Sequence, residues 1–355
     1  MPGPGRRPTV RRLAVAIAAT ISVGAIAGTA ISEGLESGEA AERSAAAVHV
    51  AAVSATANVA SSVAPVPCGA ASAATIAGVD TAVARAIYAG ELRSTSVSAD
   101  VAHVTGYAPL LRALASSSAP AAYAAVHAIV YTPHWHIVRL RVLEAGRVVA
   151  DVGGPDVIAP VSGVLRWKGR IVGSYVMSVQ DDVGYVKLVS RFIGVPIDLY
   201  RNGSFLMGTL QPAPSAPSAG GSLTVAGVGY QAHVFAAAAF PSGALQVLLL
   251  VPAPPVAVAA QPCAAVRVAA WGSVLKHIAA RLKPLQAHYA DLADVVRGLT
   301  GGLVVVRAGS TRLAGSAAPT RIPRNGSVSY RGRSWPVFSW EPVPPARIYF
   351  LVPAG

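Results

Sequence analysis

Between Ala71 and Ser98 the apolar residues Ile76, Val79, Val83, Ile87 and Leu92 recur near one face of a helix. Asp100 to Ala115 reads as a second helix, with Asp100 as its cap and Val101, Val104, Leu110, Leu111 and Leu114 turned inward. A third helix, Ala119 to Tyr131, stops ahead of Pro133. The period then changes. From Ile137 to Leu143 apolar residues alternate with Arg139 and Arg141, Ala145-Gly146 supplies a turn, and Arg147 to Asp151 returns, which is a hairpin pattern. Val161 to Arg166 and Arg170 to Val179 form a second hairpin about Lys168-Gly169. Asp181-Asp182 open a helix that runs to about Phe192.

The pattern repeats. Pro196 to Thr209 aligns with Gly302 to Ser316: strand, Arg-x-Gly-Ser turn, return strand ending in Gly. Gly221 to Tyr230 parallels Gly326 to Trp335, each followed by a long strand carrying Phe235 or Phe338. The copies close on Leu249-Leu-Val-Pro and Phe350-Leu-Val-Pro, and a helix precedes each, the second (Val266 to Leu299) broken near Pro284. The hairpins from Ile137 to Val179 look like a shorter version of the unit. Antiparallel strands with one buried face need helices over that face, so an α+β fold is expected: antiparallel sheets packed on long helices in repeated lobes.

The first residues set the expected compartment. Arg6, Arg7, Arg11 and Arg12 precede 19 uncharged residues, Leu13 to Ile31, and Glu33, Glu36 and Glu39 follow. Such a run suits a bilayer-spanning helix with its N-terminus in the cytoplasm. A cleaved signal peptide, with Ala25-Ile-Ala27 as its small-residue site, is the alternative. Either leaves the body outside the cytoplasm, as a single-pass membrane protein or a secreted one. The expected divisions are a signal or anchor at 1–31, an Ala/Ser-rich linker at 32–74, a sensor region at 75–260 and a C-terminal α+β repeat lobe at 261–355. In an exported chain the two cysteines, Cys68 and Cys263, read as one disulfide, each following a proline and preceding a helix. Free buried thiols are the alternative.

Charge changes the picture less than its size suggests. The net charge is +13 on a chain only 13% charged, with 29 basic and 16 acidic residues. The arginines stand singly among apolar residues and form no long run, which argues against a nucleic-acid surface. Four of them are a topology signal. The remainder suit an anionic envelope or a small anionic ligand, with solubility alone as the alternative.

Arg139-Leu-Arg-Val-Leu-Glu-Ala-Gly-Arg-Val-Val-Ala-Asp resembles the "strand, x-x-Gly-Arg-Val, strand" hairpin of the PAS-like extracytoplasmic sensor folds of bacterial receptors, the PDC or Cache group. Lys168-Gly-Arg-Ile-Val-Gly-Ser-Tyr-Val-Met-Ser-Val is similar to the last hairpin of that family, and Tyr107-Ala-Pro-Leu-Leu-Arg-Ala-Leu to the helix before its first strand. The likeness covers about residues 70 to 260, with weaker echoes to 355. It implies a membrane helix, a long leading helix, a five- or six-stranded antiparallel sheet and a ligand-binding role. The chain departs from the family in showing neither a second membrane helix nor a cytoplasmic output module, and the Tyr, Arg, Trp and Asp of the family's amino-acid-binding signature are not recognisable.

Among groups able to carry chemistry, His134 and His136 stand at the start of the first strand, where alternate residues share a face. With Arg139, Arg141 and Tyr175 they are the candidate contacts for a small anion. His103 and His127 lie on the preceding helices, but no spaced His/Cys/Asp set completes a metal site. Asp181-Asp182 reads as a helix cap rather than a carboxylate pair. Gly153-Gly154 reads as a tight turn, and Asn202-Gly203 and Asn325-Gly326 as hairpin turns. No phosphate loop, nucleophile elbow or His-Glu-x-x-His occurs. The sequence thus leads to a membrane-anchored, extracytoplasmic ligand-sensing module, with no catalytic residues and no cofactor expected. An envelope structural or protein-interaction protein is the alternative.

Overall fold

The computed structural model describes residues 66–352 except 134, 156, 212, 215–219, 282–288 and 344. The expected anchor or signal at 1–31, most of the linker, and Pro284 lie outside the described residues.

The fold is α+β, as the alternating patterns imply. A helix of 23 residues, α1 (Ala71–Arg93), leads the chain. Val79, Val83, Ala84 and Ile87 on it are almost wholly buried, and each large side chain so buried contributes about 1.5–3 kcal/mol. The helix expected to reach Ser98 stops at Arg93. Ser94 caps a new one, α2 (Thr95–Gly106), by accepting the Val97 N–H at 3.2 Å. Asp100 is therefore not a cap but an interior residue of α2. Two short helices follow, α3 (Ala108–Ala115) and α4 (Ala119–Tyr131), each with proline in its first turn, where no amide donor is needed.

The strands then form three sheets. The first joins β1 (Arg139–Glu144), β2 (Arg147–Gly153), β3 (Val157–Trp167) and β4 (Arg170–Asp181) in the order β2-β1-β4-β3. Helix α5 (Asp182–Ile193) follows, capped by Asp181, whose carboxylate accepts the Gly184 N–H. The second sheet holds β5 (Ile197–Arg201), β6 (Ser204–Gly208), β7 (Ser222–Val225), β8 (Val228–Ala238) and β9 (Ala244–Pro252) in the order β6-β5-β9-β8-β7. After α6 (Val256–Ala259), α7 (Cys263–Arg281) and α8 (Tyr289–Thr300) comes the third sheet. Its strands are β10 (Leu303–Ala308), β11 (Thr311–Gly315), β12 (Gly326–Tyr330), β13 (Arg333–Val343) and β14 (Ala346–Leu351), ordered β11-β10-β14-β13-β12. The two five-stranded sheets share one topology, which is the repeat read from the sequence. All pairings within the sheets are antiparallel.

Five hairpin turns are built alike. Ala145-Gly146, Lys168-Gly169, Asn202-Gly203, Ala226-Gly227 and Arg331-Gly332 all have positive φ at both residues. That is the turn whose twist matches paired strands, and glycine in the second place adopts it without strain. Asn325-Gly326 differs: it leads into β12 rather than closing a hairpin.

One continuous core runs from Val79 to Val352 and takes in residues of all three sheets and of α1, α5, α7 and α8. The start of α1 is tied to the start of α7. Cys68 and Cys263 form a disulfide with Cα atoms 4.6 Å apart across 195 residues of sequence. Pro67 bridges to Pro262, and the Cys68 and Gly69 amides donate to Gln261 and Ala259 at 2.7 and 2.8 Å.

Candidate functional site

Arg139 and Arg141 lie two apart on β1 and so project from one face of the first sheet. Asp151 on β2 is directly opposite Arg141 and joins them there. Arg139 Nε donates to Asp151 Oδ1 at 2.7 Å and its Nη2 to Oδ2 at 2.9 Å. Arg141 Nε and Nη2 both reach Oδ2, at 2.9 and 2.6 Å. Arg139 Nη1 also donates to the Gly154 carbonyl at 2.8 Å. Gly153 lets the chain pass this close, since a Cβ there would stand 2.3 Å from the Val138 carbonyl oxygen. Burial pushes the Asp151 carboxyl up, but the hydrogen bonds and charges of the two guanidinium groups outweigh it and hold the pKa below its ordinary value.

A third partner comes from the second sheet. The ring of Phe240, in the β8–β9 connection, lies under both guanidinium groups, 5.4 Å from Arg139 Cζ and 5.7 Å from Arg141 Cζ. The Phe240 carbonyl accepts from Arg201 of β5 at 3.2 Å, and Ile158 of β3 bridges to Ala239. The two arginines expected to meet an anion are thus spent on an internal carboxylate and an aromatic ring, at the joint between the first and second sheets.

The other expected contacts are dispersed. Tyr175 pairs with Val142 and Gly163 and so faces the opposite way, into the core, where it is 2% exposed. Burial raises its pKa. Gly163 leaves room for the ring, because a Cβ there would meet Tyr175 Cε1 at 2.8 Å. His134 lies outside the described residues. The backbone N–H of His136 donates to Asp100 Oδ1 at 3.3 Å, so this residue belongs with α2 rather than with the arginines. Nearby the His103 ring stacks on Trp135 at 4.0 Å and 9°, and burial lowers its pKa. No three His, Cys, Asp or Glu residues among the described residues stand close enough to hold a metal.

Two acids on α1 escaped the sequence reading. Asp80 and Glu91 are 3% and 7% exposed, and burial pushes both up to about 7. The Gln180 amide, oriented to satisfy both neighbours, donates to Glu91 Oε2 and accepts from the Tyr185 N–H, each at 3.1 Å. Eleven residues part the two acids, three helical turns, so they share the buried stripe. That spacing was visible, but their polarity argued for the other face.

The described surface carries open grooves. An open one of about 700 Å³ at the hairpin end of the first sheet is lined by Leu114, Ser117, Glu144, Trp167, Lys168 and Ile171, among others. Behind it Leu140, Val142, Leu165 and Met177 are fully buried.

The chain matches no family model, no curated protein and no solved structure. Among the described residues no helix is long and apolar enough to cross a membrane.

Proposed function

We propose that this chain is an extracytoplasmic interaction module, whose sheet units offer surfaces to partners in the cell envelope, rather than a receptor for a small anion at Arg139 and Arg141. The observation that carries the reading is the internally paired Arg139–Asp151–Arg141 cluster over the Phe240 ring. A ligand carboxylate or phosphate there would compete with Asp151, which already accepts from both guanidinium groups and offsets their charge and is favoured by being part of the fold. The apolar burial of Leu140, Val142, Leu165 and Met177 behind the first sheet supports the same reading. The PAS-like resemblance remains part of the proposal: helix-led, five-stranded antiparallel sheets fit its outline, although the motifs that suggested it fall in the four-stranded sheet. The N-terminal run supports a membrane-anchored or secreted body.

Thermal unfolding of the full chain against succinate, glutamate and inorganic phosphate, with chloride at matched ionic strength, tests the reading. No saturable stabilisation is expected. A saturable rise in Tm that Arg141→Ala abolishes would restore the anion receptor.

A further inference from the structure

The basic excess is concentrated in one place. Residues 301–355 hold seven arginines, no lysine and a single acid, Glu341. Cross-strand partners project from the same face, and Arg312 pairs with Arg307, which pairs with Arg347. Three cations thus stand in one row across β11, β10 and β14, an arrangement that opposes folding through like-charge repulsion. Arg333 and Tyr330 pair at the end of β12 and β13, and Val328 pairs with Trp335. By the strand alternation these also lie on the side away from the core residues Val304, Val306, Ile348 and Phe350.

The segment between β11 and β12 lies across this same side. Arg307 Nη2 donates to the Pro319 carbonyl at 2.8 Å and Nη1 to that of Thr320. Ser339 Oγ donates to the Arg324 carbonyl at 2.8 Å. Two further exposed arginines, Arg321 and Arg324, ride on that segment. Glu341 is taken by Arg347. Arg312, Arg321, Arg324 and Arg333 are exposed and have no hydrogen-bond or ion-pair partner among the described residues.

We infer that this arginine face of the third sheet docks on an anionic phospholipid surface. The exposed arginines Arg312, Arg321, Arg324 and Arg333 are shared between the strands and the strap that crosses them. Its cations are all arginines, which bind phosphate oxygens in pairs. Tyr330 and Trp335 are partly exposed at one end, with Arg331 stacked on the Tyr330 ring at 5.2 Å, and exposed Leu313 follows Arg312 on the edge strand. Arginine with amphipathic aromatics is the side-chain mixture that settles at a membrane interface. The inference rests on the interaction-module reading and names one of its partners.

The test is co-sedimentation of the full chain with vesicles of phosphatidylcholine alone or mixed with phosphatidylglycerol, at low and high salt. The wild type should prefer the anionic vesicles and lose that preference in high salt. Arg312→Ala/Arg333→Ala should weaken the preference about 25-fold, roughly fivefold per arginine. Arg93→Ala/Arg191→Ala, on exposed helix positions with the same change in net charge, should keep it. The N-terminal arginines act alike in every variant, so the difference reports the face alone, and circular dichroism confirms that each variant is folded. Equal preference of wild type and Arg312→Ala/Arg333→Ala would overturn the inference. So would release of the wild type from vesicles by a stoichiometric amount of soluble polyphosphate, which would assign the face to a polyanion in solution. Either failure leaves the small-anion titration to decide the interaction reading separately.

Discussion

Replacing Asp151 with Asn removes the one negative charge that holds Arg139 and Arg141 together. Four hydrogen bonds run from the two guanidinium groups to this carboxylate. A hydrogen bond to a charged group contributes about 1.5–3 kcal/mol, but the three side chains keep 20–26% of their exposure, so water replaces part of the loss. The amide still accepts one or two of the bonds. The two cations are left side by side over Phe240. The expected loss is about 2–4 kcal/mol at pH 7, somewhat below the roughly 3–5 kcal/mol for breaking a fully buried pair. Urea unfolding should show it as a lower midpoint with an unchanged slope. The pH dependence fixes the cause. Asp151 has its pKa depressed by folding, so its contribution is complete above the unfolded value, about 3.9, and is lost as pH falls through the folded one. The gap between wild type and Asp151→Asn should therefore close at pH below about 4. A loss under about 0.5 kcal/mol at pH 7, or a gap that persists in acid, would refute the electrostatic account of the joint.

Asp80 and Glu91 carry the opposite sign. Folding raises both to about 7, so their neutral forms cost nothing below the unfolded values near 4, and stability falls as pH rises from there to about 7. Asp80→Asn should stabilise the fold at pH 8, by up to about 4 kcal/mol, and leave it unchanged at pH 4; equal effects at both pH values, read by urea titration, would contradict burial as the cause. Reduction of Cys68–Cys263, or Cys68→Ala/Cys263→Ala, should lower stability by up to about 5 kcal/mol in the chain-entropy model, since the bond closes a loop of nearly two hundred residues. Unfolding at an unchanged denaturant midpoint would show that the unfolded chain gains little from its release.

What the sequence disclosed was local. The turns at Ala145-Gly146 and Lys168-Gly169, the strand alternation around Arg139 and the Asp181 cap depend on residues a few positions apart and reappear in the structure; the repeat of the later sheets and the Cys68–Cys263 pair were the exceptions, legible because like segments recur and only two cysteines exist. The break at Ser94 was hidden because neither proline nor glycine marks it. Asp100 has a cap's composition, but the helix already begins at Thr95 and the carboxylate serves the distant His136 amide. Grouping Tyr175 with Arg141 failed for a geometric reason. Tyr175 sits opposite Val142, not Arg141, and that register depends on β1 pairing with β4 across an intervening hairpin. Phe240 was beyond reach, because it approaches the arginines from a different sheet. The arginines of the last sheet were counted as scattered, and only cross-strand register gathers them onto one side.

The covalent tie at Cys68 also sets a mechanical route. A pull applied ahead of Cys68 and resisted at the third sheet travels through the two sulfur atoms straight to Cys263 and α7. The first two sheets lie wholly within the covalent loop and hang off that line, so no tension runs along their backbone. Under oxidising conditions the chain is, between its leading end and its last sheet, far shorter as a tether than its residue count suggests. Under reducing conditions the same pull would have to pass through α1 and every strand of both sheets.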